Sequence, residues 1–368
     1  MLKTYDLCYP EFMETVFVAM SGGMDSSFAA YFLKQKGYKV VGITFQLLPK
    51  TIKNVGNPKA CCSIESINRA KKIADNLSIP HYVINLRREF EEHVIENFIN
   101  EYKSGKTPNP CILCNRYIKF SAFLNMALSI GADKVSTGHY ANIKETVEGF
   151  FLQKGLDISK DQSYFLYPII KETLKHILFP LGLHKKSGLK EKTNEIKWEY
   201  QKVKESQDIC FIPGNNYREF ISGFAGLREG PVFSVEGKLL GHHDGIHLYT
   251  IGQRRGLKIP YKEPLYVVDI LAEENTIIAG SKEFLKSKKL LAGNINILQT
   301  ASTSGQITGK VRYRQKEESC TYNISGDSLE VEFKNPVYSI TPGQSVVLYD
   351  DNTVIGGGII KNSIRETC

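Results

Sequence analysis

The sequence predicts an α/β protein in three parts: a doubly wound parallel-sheet domain (1–213), a small central α+β domain (214–284) and a C-terminal β-barrel (285–368). Three observations carry this expectation. Through the first half, apolar runs of strand length alternate with helical periodicities, the pattern of a parallel sheet covered on both faces. The composition then shifts after Pro213-Gly214, and Gly230 to Ile259 is rich in Gly, His and β-formers. From about Lys288 onward short β-rich runs recur between turns, as in a small barrel. At 368 residues the chain also exceeds one typical domain.

The elements follow in order. An apolar run from Val16 stops at Gly22-Gly23, and a helical pattern begins beyond it with Phe28, Ala29, Tyr31, Phe32 and Leu33. Lys39 to Phe45 reads as a second strand. Ser63 is placed to cap a helix whose apolar face is Ile64, Ile67, Ala70, Ile73, Ala74 and Leu77. Pro80 ends it, and His81 to Leu86 reads as a third strand. Phe90, Val94, Ile95, Phe98, Ile99 and Tyr102 mark another helix. A loop with Pro108 and Pro110 leads to a helix marked by Tyr117, Phe120, Phe123, Leu124 and Leu128, and Asp133 to Thr137 reads as a strand. Ligands of such sheets sit beyond the carboxyl ends of the strands, where the first loop lies. Lys171 to Lys204 is highly charged and reads as helical, with a solvated face. The expected barrel strands are Ile307 to Tyr313, Cys320 to Ile324, Leu329 to Phe333, Gln344 to Tyr349 and Val354 to Ile360. Arg312 and Arg314 would then share one face. There is no internal repeat and no low-complexity segment.

Composition narrows the class. With 42% hydrophobic and 23% charged residues the chain resembles an ordinary soluble protein. No apolar run reaches membrane-spanning length, and Met1 to Glu14 lacks an apolar signal core. A cytoplasmic location with no membrane partner is expected. Lys and Arg number 47 against 39 Asp and Glu, a formal +8 that suits a polyanionic partner. Eight cysteines are too few for a disulfide framework in a chain this long, so they read as thiols, metal ligands or nucleophiles.

Two stretches carry chemistry. The first is Ala19-Met20-Ser21-Gly22-Gly23-Met24-Asp25-Ser26, between a strand and a helix. The first turn of a helix has N–H groups without intrahelical partners, and the dipole places partial positive charge there. Glycines turn the chain sharply and keep side chains away from a ligand. Serine hydroxyls add donors, completing a phosphate cradle. No Gly-Lys-Ser/Thr follows, so it is not the P-loop of kinases. The second stretch is Thr107-Pro108-Asn109-Pro110-Cys111-Ile112-Leu113-Cys114-Asn115, a Cys-x-x-Cys held by prolines, with Arg116 and Lys119 nearby. Positive charge and a helix N-terminus favour thiolate and lower a cysteine's pKa. Cys210 stands alone in Ser206 to Phe211. Cys8, Cys320, Cys368 and the pair Cys61-Cys62 read as structural. For Cys111, Cys114 and Cys210 three readings stay open: buried thiols, three soft ligands of an iron–sulfur cluster, or nucleophilic sulfur chemistry.

The cradle resembles the pyrophosphate (PP) loop of the ATP-pyrophosphatase superfamily. Taken with the cysteines, the whole chain resembles the bacterial tRNA-specific 2-thiouridylases. Further strings fit them: Ser136-Thr137-Gly138-His139-Tyr140-Ala141, Lys160-Asp161-Gln162-Ser163-Tyr164, His243-Asp244-Gly245, Thr250 to Leu257, Val311 to Gln315 and Pro342-Gly343-Gln344. The resemblance implies that Ala19 to Ser26 hold ATP phosphates, with Phe45 and Gly138 on the adenine and ribose side. It implies that Asn109, Pro110 and Cys111 meet the target base. Cys114 would be the nucleophile and Cys210 the persulfide carrier. His139, Lys160, Asp161, Gln162, Arg312, Tyr313 and Gln344 would contact tRNA, although Asp161 could also cap its own turn. Some family members have Asp where Cys111 stands, assigned a base-like role that a thiol fills poorly.

The implied reaction is ATP- and Mg²⁺-dependent 2-thiolation of the wobble uridine of glutamate, glutamine and lysine tRNAs. A cysteine desulfurase or sulfur-relay protein would supply sulfur. The same chemistry with a [4Fe–4S] cluster on Cys111, Cys114 and Cys210 is one alternative. A non-catalytic tRNA-binding protein with a relic nucleotide site is another. A different ATP-pyrophosphatase, an amidotransferase or ligase, is a third; it would lack a glutaminase domain and leave the cysteines without a role.

Overall fold

A computed structural model describes residues 13–49, 64–195, 209–212, 214, 216–299 and 303–364. Cys8, Cys61, Cys62, Ser63 and Cys368 lie outside the described residues. The first sheet contains β1 (Thr15–Ala19), β2 (Lys39–Gln46), β3 (His81–Asn85) and β4 (Lys134–Ser136). After a hairpin of β5 (Ala141–Thr146) and β6 (Gly149–Lys154) it adds the two-residue β7 (Ile177–Leu178). Its order is β3-β2-β1-β4-β7 and every pairing is parallel. β1 and β2 are buried along their middles, as expected of strands covered on both faces. From β1 the chain steps to β2 and β3 on one side, then returns to β4 and β7 on the other. The reversal opens a crevice at the carboxyl ends of β1 and β4.

Four helical runs cover this sheet: α1 (Met24–Gln35), α2 (Ile64–Asn76), a run over 87–103 and a run over 110–129. The last two match the predicted periodicities, but each carries a wider π-helical segment, Glu91–Ile95 and Cys114–Ala122. Such segments occur frequently at functional sites. Phe90, Phe98, Ile118, Phe120 and Phe123 are buried between these helices and the sheet. Burial of each such side chain contributes about 2 kcal/mol.

The central sheet holds β8 (Gly230–Ser234), β9 (Leu239–His243), β10 (Tyr266–Leu271) and β11 (Thr276–Gly280), in the order β10-β11-β8-β9. The barrel is built from β12 (Lys286–Ile297), β13 (Ser304–Lys310), β14 (Glu318–Ser325), β15 (Ser328–Tyr338), β16 (Ser345–Asp350) and β17 (Thr353–Ile364). Pairing of β12 with β17 closes it. The β5–β6 hairpin, which no sequence signal predicted, joins the barrel sheet where Gln153 pairs with Thr353.

Two expectations need correction. Lys171 to Lys204 is not continuously helical: Lys171–His176 is 3-10 helix, β7 follows, and the α-helix is Lys186–Glu195, with 196–208 outside the described residues. Nor do Arg312 and Arg314 lie on a strand. β13 ends at Lys310, and the Gln315 N–H donates to the Arg312 carbonyl across a turn. That turn directs Arg312 inward, where it is half-buried, and leaves Arg314 exposed.

Candidate active site: a phosphate cradle and a thiol-bearing helix

The cradle begins where β1 ends. The Met20 N–H donates to Ile43 (2.7 Å) and its carbonyl accepts from the Thr44 hydroxyl (2.7 Å), which fixes the chain as it leaves the sheet. Gly22 has φ +70°, and a Cβ there would lie 2.5 Å from the Ser66 carbonyl, so glycine is required. Gly23 is extended and caps α1 without any side-chain bond. The Ser26 and Ser27 hydroxyls turn back onto the Gly23 carbonyl at 3.0 and 2.8 Å. No side chain caps the helix end, and a helix N-terminus favours an anion. Gly138 lies against it: a Cβ at Gly138 would come within 2.6 Å of Ser26 N and 2.7 Å of Asp25 C. Phe45, at the end of β2, stands edge-on to Phe123 (5.0 Å) and links this crevice to the 110–129 helix.

Asp25 is the cradle's carboxylate, and both its oxygens are engaged. Tyr140 donates its hydroxyl to Oδ1 and Lys186 its Nζ to Oδ2, each at 2.8 Å. Lys186 is only 6% exposed. This corrects the reading of its charged stretch as a solvated face. Sequence reasoning missed the residue because a lysine among lysines carries no local sign of burial.

The thiols are presented by the helix that starts at Pro110. Asn109 stands at its N-cap, with Pro108 and Pro110 buried on either side. Cys111 is exposed and Cys114 is 9% exposed. Desolvation pushes the Cys111 thiol above the usual cysteine range, with Lys119 pulling the other way. The Lys119 charge thus acts in the expected direction, opposed by desolvation. Cys210 lies in a turn closed by Ile212 N–H to Ile209 (3.2 Å) and is half-buried. Its neighbour Phe211 packs edge-on against Phe90 and Phe98 of the 87–103 run, whose His93 stacks on Tyr117 of the Cys114 helix. One helix therefore backs both cysteines. Among the described residues, no three His, Cys, Asp or Glu side chains are placed to hold a metal ion. Cys111, Cys114 and Cys210 do not form the ligand set that a cluster needs.

His139 joins the two parts. It follows Gly138, and its Nε2 lies 3.5 Å from Lys119 Nζ. The ammonium can only donate, so Nδ1 carries the proton and donates to Thr137 Oγ1 (2.6 Å). Burial, with Lys119 adding to it, holds the imidazole pKa well below its ordinary value, so the ring is neutral.

The remaining expected RNA contacts divide. Lys160 is half-buried beside its turn. Asp161 is 5% exposed and accepts from the N–H groups of Gly155 and Ser163 and from the Ser163 hydroxyl. It caps that turn. Gln162 binds Tyr140 twice, with its N–H to the Tyr140 carbonyl (2.8 Å) and its Oε1 to the Tyr140 N–H (3.0 Å). Tyr313 packs on Phe165 (4.5 Å). Arg312 donates to the Ile251 carbonyl (3.1 Å), and Gln344 to the Thr107 carbonyl (2.8 Å).

Three family models cover the chain: "tRNA methyl transferase HUP domain" over residues 14–214, "tRNA methyl transferase PRC-barrel domain" over 218–281 and "Aminomethyltransferase beta-barrel domain" over 287–360. The tRNA-specific 2-thiouridylase MnmA of Halothermothrix orenii is 42% identical over 95% of this chain and 100% of its own length. The chain belongs to the tRNA-specific 2-thiouridylase family. A second 2-thiouridylase, MnmA 1 of Caldanaerobacter subterraneus, is 43% identical over 95% of this chain and 98% of its own. Among solved structures, a predicted subunit of tRNA methyltransferase from Methanocaldococcus jannaschii matches 50% of this chain and 77% of its own at 19% identity, with a TM-score of 0.31. The 2-thiouridylase family belongs to the ATP-using PP-loop proteins, in keeping with the uncapped α1 terminus. Among the described residues no helix is long and apolar enough to cross a membrane.

Proposed function

We propose that this protein is an ATP-dependent tRNA 2-sulfurtransferase that thiolates C2 of the wobble uridine of glutamate, glutamine and lysine tRNAs. The observation that carries this reading is the bridge at His139. One residue away, Gly138 lies on the phosphate cradle, and the imidazole reaches Lys119 on the helix of Cys114. This supports a common site for activation and sulfur delivery.

The uridine C2 oxygen is a poor leaving group. Its attack on the α-phosphorus of ATP forms a C2–O–P bond and releases pyrophosphate. Ala19 to Ser26 would hold the phosphates, with Phe45 and Gly138 beside the nucleoside. Mg²⁺ would neutralise the leaving charge. Because Tyr140 and Lys186 engage Asp25, the ion would be carried mainly by the ATP phosphates. The base must be unstacked to enter, and Asn109, Pro110 and Cys111 would meet it. His139, Lys160, Gln162, Arg312 and Tyr313 would lie along the RNA path, with Asp161 shaping the turn between two of them and Gln344 turned onto Thr107.

Cys210 would carry the sulfur as a persulfide, charged by a cysteine desulfurase or relay protein. The Cys114 thiolate attacks the inner sulfur, forming a Cys114–Cys210 disulfide and releasing hydrosulfide. Hydrosulfide adds at C2, AMP departs with the former C2 oxygen, and loss of a proton leaves the thiocarbonyl. An external dithiol reduces the disulfide for the next turnover. No step is routed through an iron–sulfur cluster, for which the described residues supply no ligand set.

Mass spectrometry of the wobble nucleoside tests the reading. Unmodified tRNA, ATP, Mg²⁺ and a persulfide donor should yield 2-thiouridine, with one AMP and one pyrophosphate per sulfur. Full turnover by Cys210→Ala would sink the persulfide role. RNA binding without pyrophosphate release would point to the relic-site alternative, and a methylated nucleoside to the chemistry in the family models' names.

A further inference from the structure

Thr107 lies two residues before Asn109, and each of its polar groups is taken by another part of the molecule. Its N–H donates to the Pro342 carbonyl (2.9 Å) and its carbonyl accepts from Gln344 Nε2 (2.8 Å), both in the barrel. Its hydroxyl donates to Thr250 Oγ1 (3.1 Å) in the central domain. The backbone approach is close. Gly343 has φ +88°, and a Cβ there would lie 3.0 Å from Thr107 N, C and O, so no side chain fits between barrel and loop. The neighbouring Gly105, at φ +70°, lies as closely on the central domain: its Cβ would come within 2.7 Å of Ile270 Cγ2. The two outer domains are also tied to each other here, because Arg312 donates to the Ile251 carbonyl (3.1 Å) and to Thr341 Oγ1 (2.5 Å).

Beyond Thr107 the chain has little freedom. Pro108 and Pro110 each hold φ near one value and are both buried. Asn109 caps the helix that carries Cys111 and Cys114. A displacement at Thr107 therefore reaches the thiols almost undiminished.

We infer that Thr107, Thr250 and Gln344 form a positioning lock, through which the barrel and central domain set the place of the Asn109–Cys114 segment for sulfur transfer. On this inference Gln344 acts through Thr107, as a positioning residue. The inference rests on the proposal that this segment carries the nucleophile. Misplacing a reacting group by about 1 Å costs roughly 10²-fold in rate. Each partner of the lock should therefore affect kcat and leave substrate affinity unchanged.

The test compares single-turnover and steady-state thiolation by Thr107→Val, Thr107→Ser, Thr250→Val and Gln344→Ala in the full chain, with Cys114→Ala as reference. Thr107→Val and Gln344→Ala should lose ten- to a hundredfold in kcat, with KM for ATP and tRNA and the melting temperature near those of the parent. Thr107→Ser, which keeps the hydroxyl, should restore most of the loss. Thr250→Val removes the same bond from the other domain, so its combination with Thr107→Val should be no worse than either alone. The inference is overturned by parental kcat in Thr107→Val, by a rise in tRNA KM alone in Gln344→Ala, or by additive losses in the double variant. Should Thr107→Val fold poorly, the Thr250→Val rate and its rescue pattern decide. Activity surviving in Cys114→Ala would instead overturn the underlying function.

Discussion

The phosphate cradle and the thiol-bearing helix are bridged by Gly138 and His139, yet they are held differently. The cradle is a single stretch of chain. Its turn is set by Gly22, its helix begins at Gly23 without a side-chain cap, and its serines bond within the stretch. Ile43, Thr44, Ser66, Gly138, Tyr140 and Lys186 support it from elsewhere in the chain. The proposed sulfur half is assembled from afar: Cys114 on one helix, Cys210 in a separate turn, and Thr107 fastened to two other domains. A phosphate needs a fixed array of N–H donors, which a strand–turn–helix unit supplies locally. The proposed sulfur transfer would need two thiols to meet, and their positions depend on everything packed behind them.

The comparison is broken most sharply at the thiols. Cys114→Ala should lower thiolation by at least about 10³-fold while ATP binding, followed by equilibrium dialysis, stays at the parental level. A loss of ATP binding would show that the halves are not separable. On the cradle side, Gly138→Ala pushes a methyl group against Ser26 and Asp25. Pyrophosphate release should fall about 10²-fold, with the alkylation rate of the exposed Cys111 unchanged.

Asp25→Asn sharpens the cradle's dependence on its distant supports. It removes the partner of the buried Lys186 ammonium. Breaking a fully buried pair costs about 3–5 kcal/mol. Asp25 is one-third exposed, so a loss of about 2 kcal/mol is expected in chemical denaturation, on the same scale. A second substitution, Lys186→Met, should relieve part of it.

The smallest effect concerns His139. Its folded pKa is depressed, so the unfolded chain binds a proton that the native state does not. Stability should therefore fall as pH drops through about 6.5. His139 alone should contribute about 1.4 kcal/mol one unit below that value. His139→Asn should flatten the pH dependence by this amount; an unchanged slope would mean that the ring is charged in the native protein.

Much of this was legible in the sequence. Glycines between an apolar run and a helical pattern leave few structures available to Ala19–Ser26, and the strand–helix alternation of the first half appears nearly as expected. The barrel's sheet was legible from its β-rich runs, but not the β5–β6 hairpin that joins it through Gln153 and Thr353. Arg312 looked like a strand residue because its neighbours alternate; a turn bond to Gln315 moved it off the strand and inward. Lys186 looked like surface charge. Its burial depends on Asp25, which is remote in sequence, and no local pattern records that pairing.

The sequence by itself determined the cradle, the rigid Pro-Asn-Pro-Cys segment and the types of residue able to activate an oxygen and supply sulfur. These depend on backbone propensities and side-chain chemistry, which act over a few residues. Tertiary structure decided which of those residues work together. It set Lys186 on Asp25, turned Asp161 into a cap, raised the Cys111 pKa where charge alone would lower it, and fastened Thr107 between two domains. Each of these depends on desolvation or on a contact across the fold, quantities that exist only once the chain has packed.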